Sequence, residues 1–306
     1  MAELQAFAPG IYPRSEALVQ ATRDLDRGRT TQEAVDEQVE RDLAALVEAQ
    51  QAAGLDLLGD GMLRWQDHFR PLLDQAAGLE TGALTRFLDT NSFYRAPKAN
   101  SATSGEPRLA GPLDERYVAP LPGPRLVTLP SPFALALGTG LSAKTVAEGV
   151  LRPALEGLDA ELVVLAEPFL TRQDDDLADL AEALEVLAGG PSLALWLTFG
   201  DAAPVLARGA AELPVAGFGI DFYATHLDDV PEGFDKLLLA GVLDARNSLA
   251  EEPRELAAFV GKLRERGVER IALVPNGDLQ YVSEPYAREK LARLGKARTA
   301  TVEAAA

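Results

Sequence analysis

The stretch Lys236-Leu237-Leu238-Leu239-Ala240-Gly241-Val242-Leu243 decides the fold. It is apolar at nearly every position instead of alternating, so a strand made from it buries both faces, as in a parallel sheet covered on each side. Leu55–Leu58, Arg125–Leu129, Leu162–Ala166, Leu193–Thr198, Val215–Ile220 and Arg270–Val274 read the same way, and a weaker run, Leu4–Tyr12, can supply another strand. Amphipathic stretches lie between them. Thr31–Ala53 carries Val35, Val39, Leu43, Leu46 and Val47 at helical spacing, with Thr30 or Thr31 placed to cap it. Ala143–Gly157, Asp174–Ala188, Ala203–Glu212, Ala250–Arg266 and Glu284–Lys296 are similar, and Gly54, Gly189 and Gly267 stand where helix C-caps are expected. About eight strand–helix alternations are the pattern of an α/β protein of the (β/α)8 TIM-barrel class. A doubly wound open sheet would bring a Gly-rich phosphate loop after its first strand, and the chain has neither a G-x-G-x-x-G nor a P-loop string. Thr81–Pro124, rich in Pro, Gly, Ser and Asn, reads as a long irregular excursion after the second strand, with a short extended segment at Ser92–Arg95. The residues before it cannot form a core alone, so 1–306 reads as one domain.

Composition narrows the function. Lys and Arg number 29 against 47 Asp and Glu, a formal net charge of −18. Such a surface repels phosphate backbones and anionic lipid, which argues against nucleic-acid and membrane partners. The chain has no Cys and two His, which excludes a Cys nucleophile, a disulfide and a Cys-ligated zinc, and leaves few groups for proton transfer near neutral pH. Met1–Gly10 lacks the features of a signal peptide, and no run approaches the roughly 20 apolar residues of a membrane span. A cytoplasmic location is the expectation, and the tail Arg298–Ala306 is expected to fray.

In this barrel class the chemistry sits at the C-terminal ends of the strands. The polar residues found there are Arg14; Asp60, Arg64, Trp65, Asp67 and His68; Ser131; Glu167; Trp196, Thr198 and Asp201; Asp221 and His226; Asp244 and Arg246; and Asn276 and Asp278. Glu167, Asp221, His226 and Asp278 are the candidates for acid–base work. Arg14, Asp60, Arg64, Asp67, His68, Trp196, Thr198, Asp244, Arg246 and Asn276 are the candidates for holding a ligand. A rim both acidic and basic suits a small ligand of carboxylate or amino-acid character. Each position also has a structural reading. Asp201 and Asp244 could cap the next helix, Arg14 and Arg64 could pair with rim acids, His68 and His226 could be plain surface residues, and Trp65 could be packing. Glu167 stands out, because a carboxylate ending an apolar strand is costly unless paired or used.

In order and spacing these strand ends resemble the C-terminal catalytic barrel of cobalamin-independent methionine synthase, over nearly the whole chain. The family's opening Gly-Ser-Phe-Pro-Arg-like turn is here Gly10-Ile11-Tyr12-Pro13-Arg14. Its Gln-x-x-x-Gly-Leu-Asp is Gln50–Asp56, its Asp-Gly-Glu is Asp60-Gly61-Met62, and its Arg-x-Asp falls in Arg64–Asp67. Its Asp-Glu-Pro is Ala166-Glu167-Pro168, its Gly-Val-x-Asp-x-His is Gly241–Arg246, and its Pro-Asp-Cys-Gly-Leu is Pro275-Asn276-Gly277-Asp278-Leu279. The resemblance implies a zinc that activates the homocysteine thiol, held by a His-x-Cys pair, a Glu and a second Cys. The matching positions are Trp196, Thr198, Asp221 and Gly277. Only a carboxylate survives, and it cannot hold zinc, which takes about four ligands. The family's proton-donating His falls on Arg246, and its substrate-amine carboxylates on Met62 and Ala166. No cofactor is expected.

Three readings compete. One is a divergent barrel acting on or binding a small carboxylate or amino-acid-like ligand without a zinc–thiolate site, as the metal-free uroporphyrinogen decarboxylase branch of the superfamily illustrates. Another is the parent reaction, methyl transfer to homocysteine, which would make the chain a methyltransferase of methionine biosynthesis. The third is a non-catalytic binding or scaffold subunit, with a protein partner or a second copy. An oxygen-ligated Mg²⁺ or Mn²⁺ would need Glu167, Asp221 and Asp278 to converge.

Overall fold

The computed structural model describes residues 3–102, 105–173 and 177–304. Seven strands form one sheet, all parallel, in the order β1 (Glu3–Ala6), β9 (Arg270–Pro275), β8 (Leu237–Leu243), β7 (Gly217–Asp221), β6 (Ser192–Leu197), β5 (Leu162–Glu167) and β4 (Leu126–Pro130). The sheet curls into an α/β barrel-like fold. Its apolar runs are buried along nearly their whole length because each strand has lumen on one side and helices on the other.

The expected strand at Leu55–Leu58 is instead a short bridge between β1 and β4. Asp56 donates its N–H to Ala6 C=O at 2.9 Å, Leu58 donates to Pro124 C=O at 2.9 Å, and Leu126 donates back to Leu58 C=O at 2.9 Å. Leu57 packs in the inner core with Phe7, Leu126, Val164, Trp196 and Val274, so this segment lines the lumen as the strands do.

The helices of the barrel wall include α2 (Gln32–Ala53), α7 (Leu177–Leu187), α9 (Pro253–Glu265) and α10 (Glu284–Ala304). Thr31 caps α2 with its hydroxyl accepting from Ala34 N–H, and Gly54 ends it at φ 70°. The first three positions of the expected helix Asp174–Ala188 lie outside the described residues. The tail does not fray as expected, because α10 stays helical to Ala304, with Ala297 and Thr301 packed inward; residues 305–306 lie outside the described residues.

The excursion is more regular than its composition predicts. β2 (Leu79–Arg86) and β3 (Phe93–Ala99) pair antiparallel as a hairpin separate from the barrel sheet. The expected extended segment at Ser92–Arg95 is the start of β3. The hairpin tip, residues 87–92, turns over the C-terminal mouth of the barrel and buries Phe87 and Thr90. Among the described residues no helix is long and apolar enough to cross a membrane.

Candidate functional site

Strand parity sorts the side chains at the mouth. On β6, Ala194 and Trp196 belong to the inner core while Leu195 and Leu197 face the helices, so Thr198 follows them inward. By the same alternation Gly219 and Asp221 face the lumen from β7, and Ala272, Val274 and Asn276 from β9. Trp196 is fully buried across the lumen. A Cβ on Gly219 would lie 2.5 Å from its Cδ1, so glycine there makes room for the indole. A Cβ on Gly277 would overlap the ring of Phe199. Phe199 adopts φ 54°, a conformation that costs a side chain about 1–2 kcal/mol. Its carbonyl accepts from Arg172 and its N–H donates to Asn276 C=O at 3.4 Å. Burying a phenylalanine ring returns about 2–3 kcal/mol, which offsets the strain.

Aromatic rings close the mouth above this layer. Phe87, from the hairpin tip, stacks on Tyr281 with ring centroids 6.4 Å apart, and meets Phe169 at 6.2 Å and Tyr94 at 5.9 Å. Phe199 meets Tyr281 edge-on at 5.4 Å. At the rim the Arg246 guanidinium lies 4.7 Å over the Phe199 ring and pairs with Asp89 of the tip at 3.2 Å. Asp67 fastens the hairpin from below. One of its oxygens accepts from Phe69 N–H at 2.9 Å and Arg70 N–H at 2.8 Å, and the other from Arg95 N–H of β3 at 2.9 Å.

Three buried polar groups lie under or beside this roof. Glu167 accepts from the Ser131 hydroxyl and from the N–H groups of Phe169 (2.8 Å) and Leu170 (2.9 Å). Burial nevertheless outweighs those donors and pushes its carboxyl up to about 7. Asp221 accepts from Tyr223 N–H at 2.9 Å and Asn276 Nδ2 at 3.1 Å through Oδ1, while Oδ2 is buried without a partner. Burial raises its carboxyl as well. The Asn276 side-chain oxygen also holds Ala245 N–H at 2.9 Å. His68 Nε2 meets Asp278 Oδ2 at 2.8 Å, and Asp278 Oδ1 accepts from Ile11 N–H at 2.8 Å.

The candidates therefore divide. Glu167, Asp221, Asp278, His68, Trp196, Thr198 and Asn276 are buried at the mouth, with Arg246 on its rim. Asp244 caps its own turn, accepting from Arg246 N–H at 3.0 Å. Arg64 turns outward to Asp36 and to Glu40 (3.1 Å) on α2, and with Asp60 lines an outer cleft of about 440 Å³. Asp60 accepts from Met62 N–H at 2.9 Å and Ala119 N–H at 3.3 Å. Arg14 donates to Trp65 C=O and lines another cleft, of about 780 Å³. His226 is not brought to the mouth. Its side chain is 75% exposed and meets Asp228, which binds Arg266 just past the C-terminus of α9, on the far side of the barrel from the strand ends. Glu167, Asp221 and Asp278 do not converge, and among the described residues no three His, Asp or Glu side chains form a metal-holding group. The aromatic roof is what sequence reasoning missed. Phe87 and Tyr94, two large rings in an otherwise polar excursion, were the available signal.

The residues at the positions that the resemblance matches to zinc ligands, Trp196, Thr198, Asp221 and Gly277, do not fit a zinc ion. An indole fills one, a benzene ring covers the glycine where a thiolate would stand, and a single carboxylate remains.

No protein-family model matches the chain. It is 31% identical to the 5-methyltetrahydropteroyltriglutamate–homocysteine methyltransferase of Mycobacterium bovis (strain BCG / Pasteur 1173P2) over 294 residues, 78% of this chain and 37% of that protein. Identity to the protein of the same name from Synechococcus sp. is 30% over 234 residues, 69% of this chain and 30% of that one. The chain thus spans little more than a third of these relatives' length at most. Among solved structures, a B12-independent methionine synthase from Shewanella sp. W3-18-1, in complex with selenomethionine, matches with a TM-score of 0.77 at 15% identity, over 99% of this chain and 98% of that chain. At that identity the likeness speaks for the fold alone, an α/β barrel-like fold similar to that of this methionine synthase. With the sequence relatives beside it, the chain belongs to the cobalamin-independent methionine synthase family.

Proposed function

We propose that this chain is a single-domain, zinc-independent member of the family that binds a small ligand of carboxylate or amino-acid character at the barrel mouth and does not methylate a thiol. The segment Leu55–Leu58 stands, on this reading, as the eighth member of the barrel ring. The observation that carries the proposal is the packing of the Trp196 and Phe199 rings against Gly219 and Gly277, at positions the resemblance assigns to the family's thiol-activating centre. A thiol with a pKa near 8.5 is only a few per cent ionised at neutral pH without a metal. Buried polar atoms left unpaired around the rings, Asp221 Oδ2, His68 Nδ1 and Trp196 Nε1, favour a polar ligand over a purely apolar plug.

The test has two arms. Purified protein is assayed for zinc content and for methionine formation from homocysteine with a methyltetrahydrofolate donor, and it is titrated by calorimetry with small amino acids and carboxylates. The expected outcome is no stoichiometric zinc, no methionine, and saturable binding of at least one ligand. Methyl transfer would sink the proposal. The closed roof of rings favours a second reading, a binding or scaffold subunit with no small ligand, and failure of every titration would select it.

A further inference from the structure

His68 and Asp278 form a pair that the family resemblance does not account for, since Asp278 stands at the family's glycine. Their contact is built, not incidental. Asp278 is fixed on its other oxygen by Ile11 N–H at 2.8 Å, and Gly10, at φ 86°, lies so close that a Cβ there would overlap that oxygen. The His68 side chain is 8% exposed and that of Asp278 4%. With Nε2 spent on Asp278, Nδ1 is left buried with no partner, beside Phe87 at a ring separation of 6.2 Å. Burial alone would pull the imidazole down. The Asp278 charge and hydrogen bond, with Asp67 nearby, outweigh it and hold His68 above its ordinary value. The protonated ring offers Nδ1–H as a buried donor with no acceptor, a defect that a ligand oxygen repairs.

We propose that the His68–Asp278 pair is a carboxylate-binding subsite, in which His68 Nδ1–H holds a small monocarboxylate admitted when the Phe87 hairpin tip lifts. This rests on the reading that the mouth takes a small ligand. The tip is held at the rim by Arg246–Asp89, whose side chains are 37% and 72% exposed, so solvent screens the pair and it is easily broken. Lifting the tip breaks that pair and leaves the Arg246 guanidinium at the rim. His68 and Asp278 cancel each other's charge, so a rim cation such as Arg246 is needed to balance an incoming carboxylate.

Two histidines in the chain make the test direct, because a His226→Gln variant leaves one imidazole in the spectrum. That variant is titrated with propionate, propionamide and propylammonium while the ring nitrogens are followed by NMR. Propionate is expected to shift the Nδ1 resonance saturably and the other two are not. Affinity should fall roughly tenfold or more in His68→Gln and in Asp278→Asn, and Phe87→Ala should speed binding. If the His68 or Asp278 variants do not fold, the Phe87→Ala protein decides between the outcomes. An unchanged Nδ1 signal, or a response to propylammonium, overturns the assignment. Calorimetric binding of another ligand without any change at His68 overturns it and leaves the proposed function standing. Propionate seated at His68 in a protein that also methylates homocysteine does the reverse.

Discussion

Glu167 ends β5 with no exposed surface, and its three donors bind it into the turn that follows. Its carboxyl is raised to about 7 by burial, above the ordinary 4.3 of an unfolded chain. The folded state therefore binds more protons than the unfolded state between those values, so stability falls as pH rises through that window. The slope integrates to about 4 kcal/mol, an order-of-magnitude figure. Glu167→Gln keeps acceptors for the two N–H groups and cannot ionise. Urea melts at pH 5 and pH 8 should show the loss in the wild type and its absence in the variant; equal slopes would refute the assignment. This residue was legible in the sequence as a costly carboxylate after an apolar strand. Its use was not, because the donors come from Ser131 and from a turn whose path only the fold sets. His226 illustrates the converse. It follows a strand in sequence, yet its loop runs down the outside of the barrel to Arg266.

At the scale of elements, the hairpin is the piece the sequence hid. Its strands carry Gly82 and Pro97, and its outward face leaves Leu84 and Phe93 exposed, so neither strand shows the continuous burial that marks the barrel runs. The barrel strands were legible for the opposite reason. Leu162–Ala166 and Arg270–Val274 match β5 and β9 within a residue, because a strand covered on both faces can hardly be written any other way. Leu55–Leu58 was legible as lumen lining but not as a mere bridge, since pairing depends on neighbours its own residues do not encode. The hairpin's attachment is local. Asp67 joins it to the loop before α3 (Arg70–Gln75) through three backbone N–H groups. Asp67→Ala should cost about 1–3 kcal/mol and should raise hydrogen–deuterium exchange at residues 87–95 well above that of β5 and β8. Unchanged protection at the tip would show that the aromatic contacts alone hold it.

The whole molecule is fastened at the seam where Leu55–Leu58 replaces a full strand. Asp56 ties the segment to the β1 side, its Oδ2 accepting from Ala6 N–H at 2.8 Å and its Oδ1 from Arg298 of α10 at 2.6 Å, while Leu58 ties it to β4. On the same helix Gly295 lies against the Ala53 carbonyl at the end of α2, where a Cβ would overlap the backbone. In an ordinary helix Gly→Ala gains about 1 kcal/mol. Here the displaced backbone costs about 1–3 kcal/mol and reverses the sign, so Gly295→Ala should lower the urea midpoint. A raised midpoint would mean that α10 does not press on the seam.

The first strand pairs with the last: Glu3 lies opposite Arg270, and no other strand of the sheet flanks β1. During synthesis the amino-terminal segment therefore leaves the ribosome long before β9, and this edge of β1 waits unpaired until β9 has been made. Closure at this edge is a late event in folding, and a ribosome stalled short of β9 would hold an open, aggregation-prone sheet.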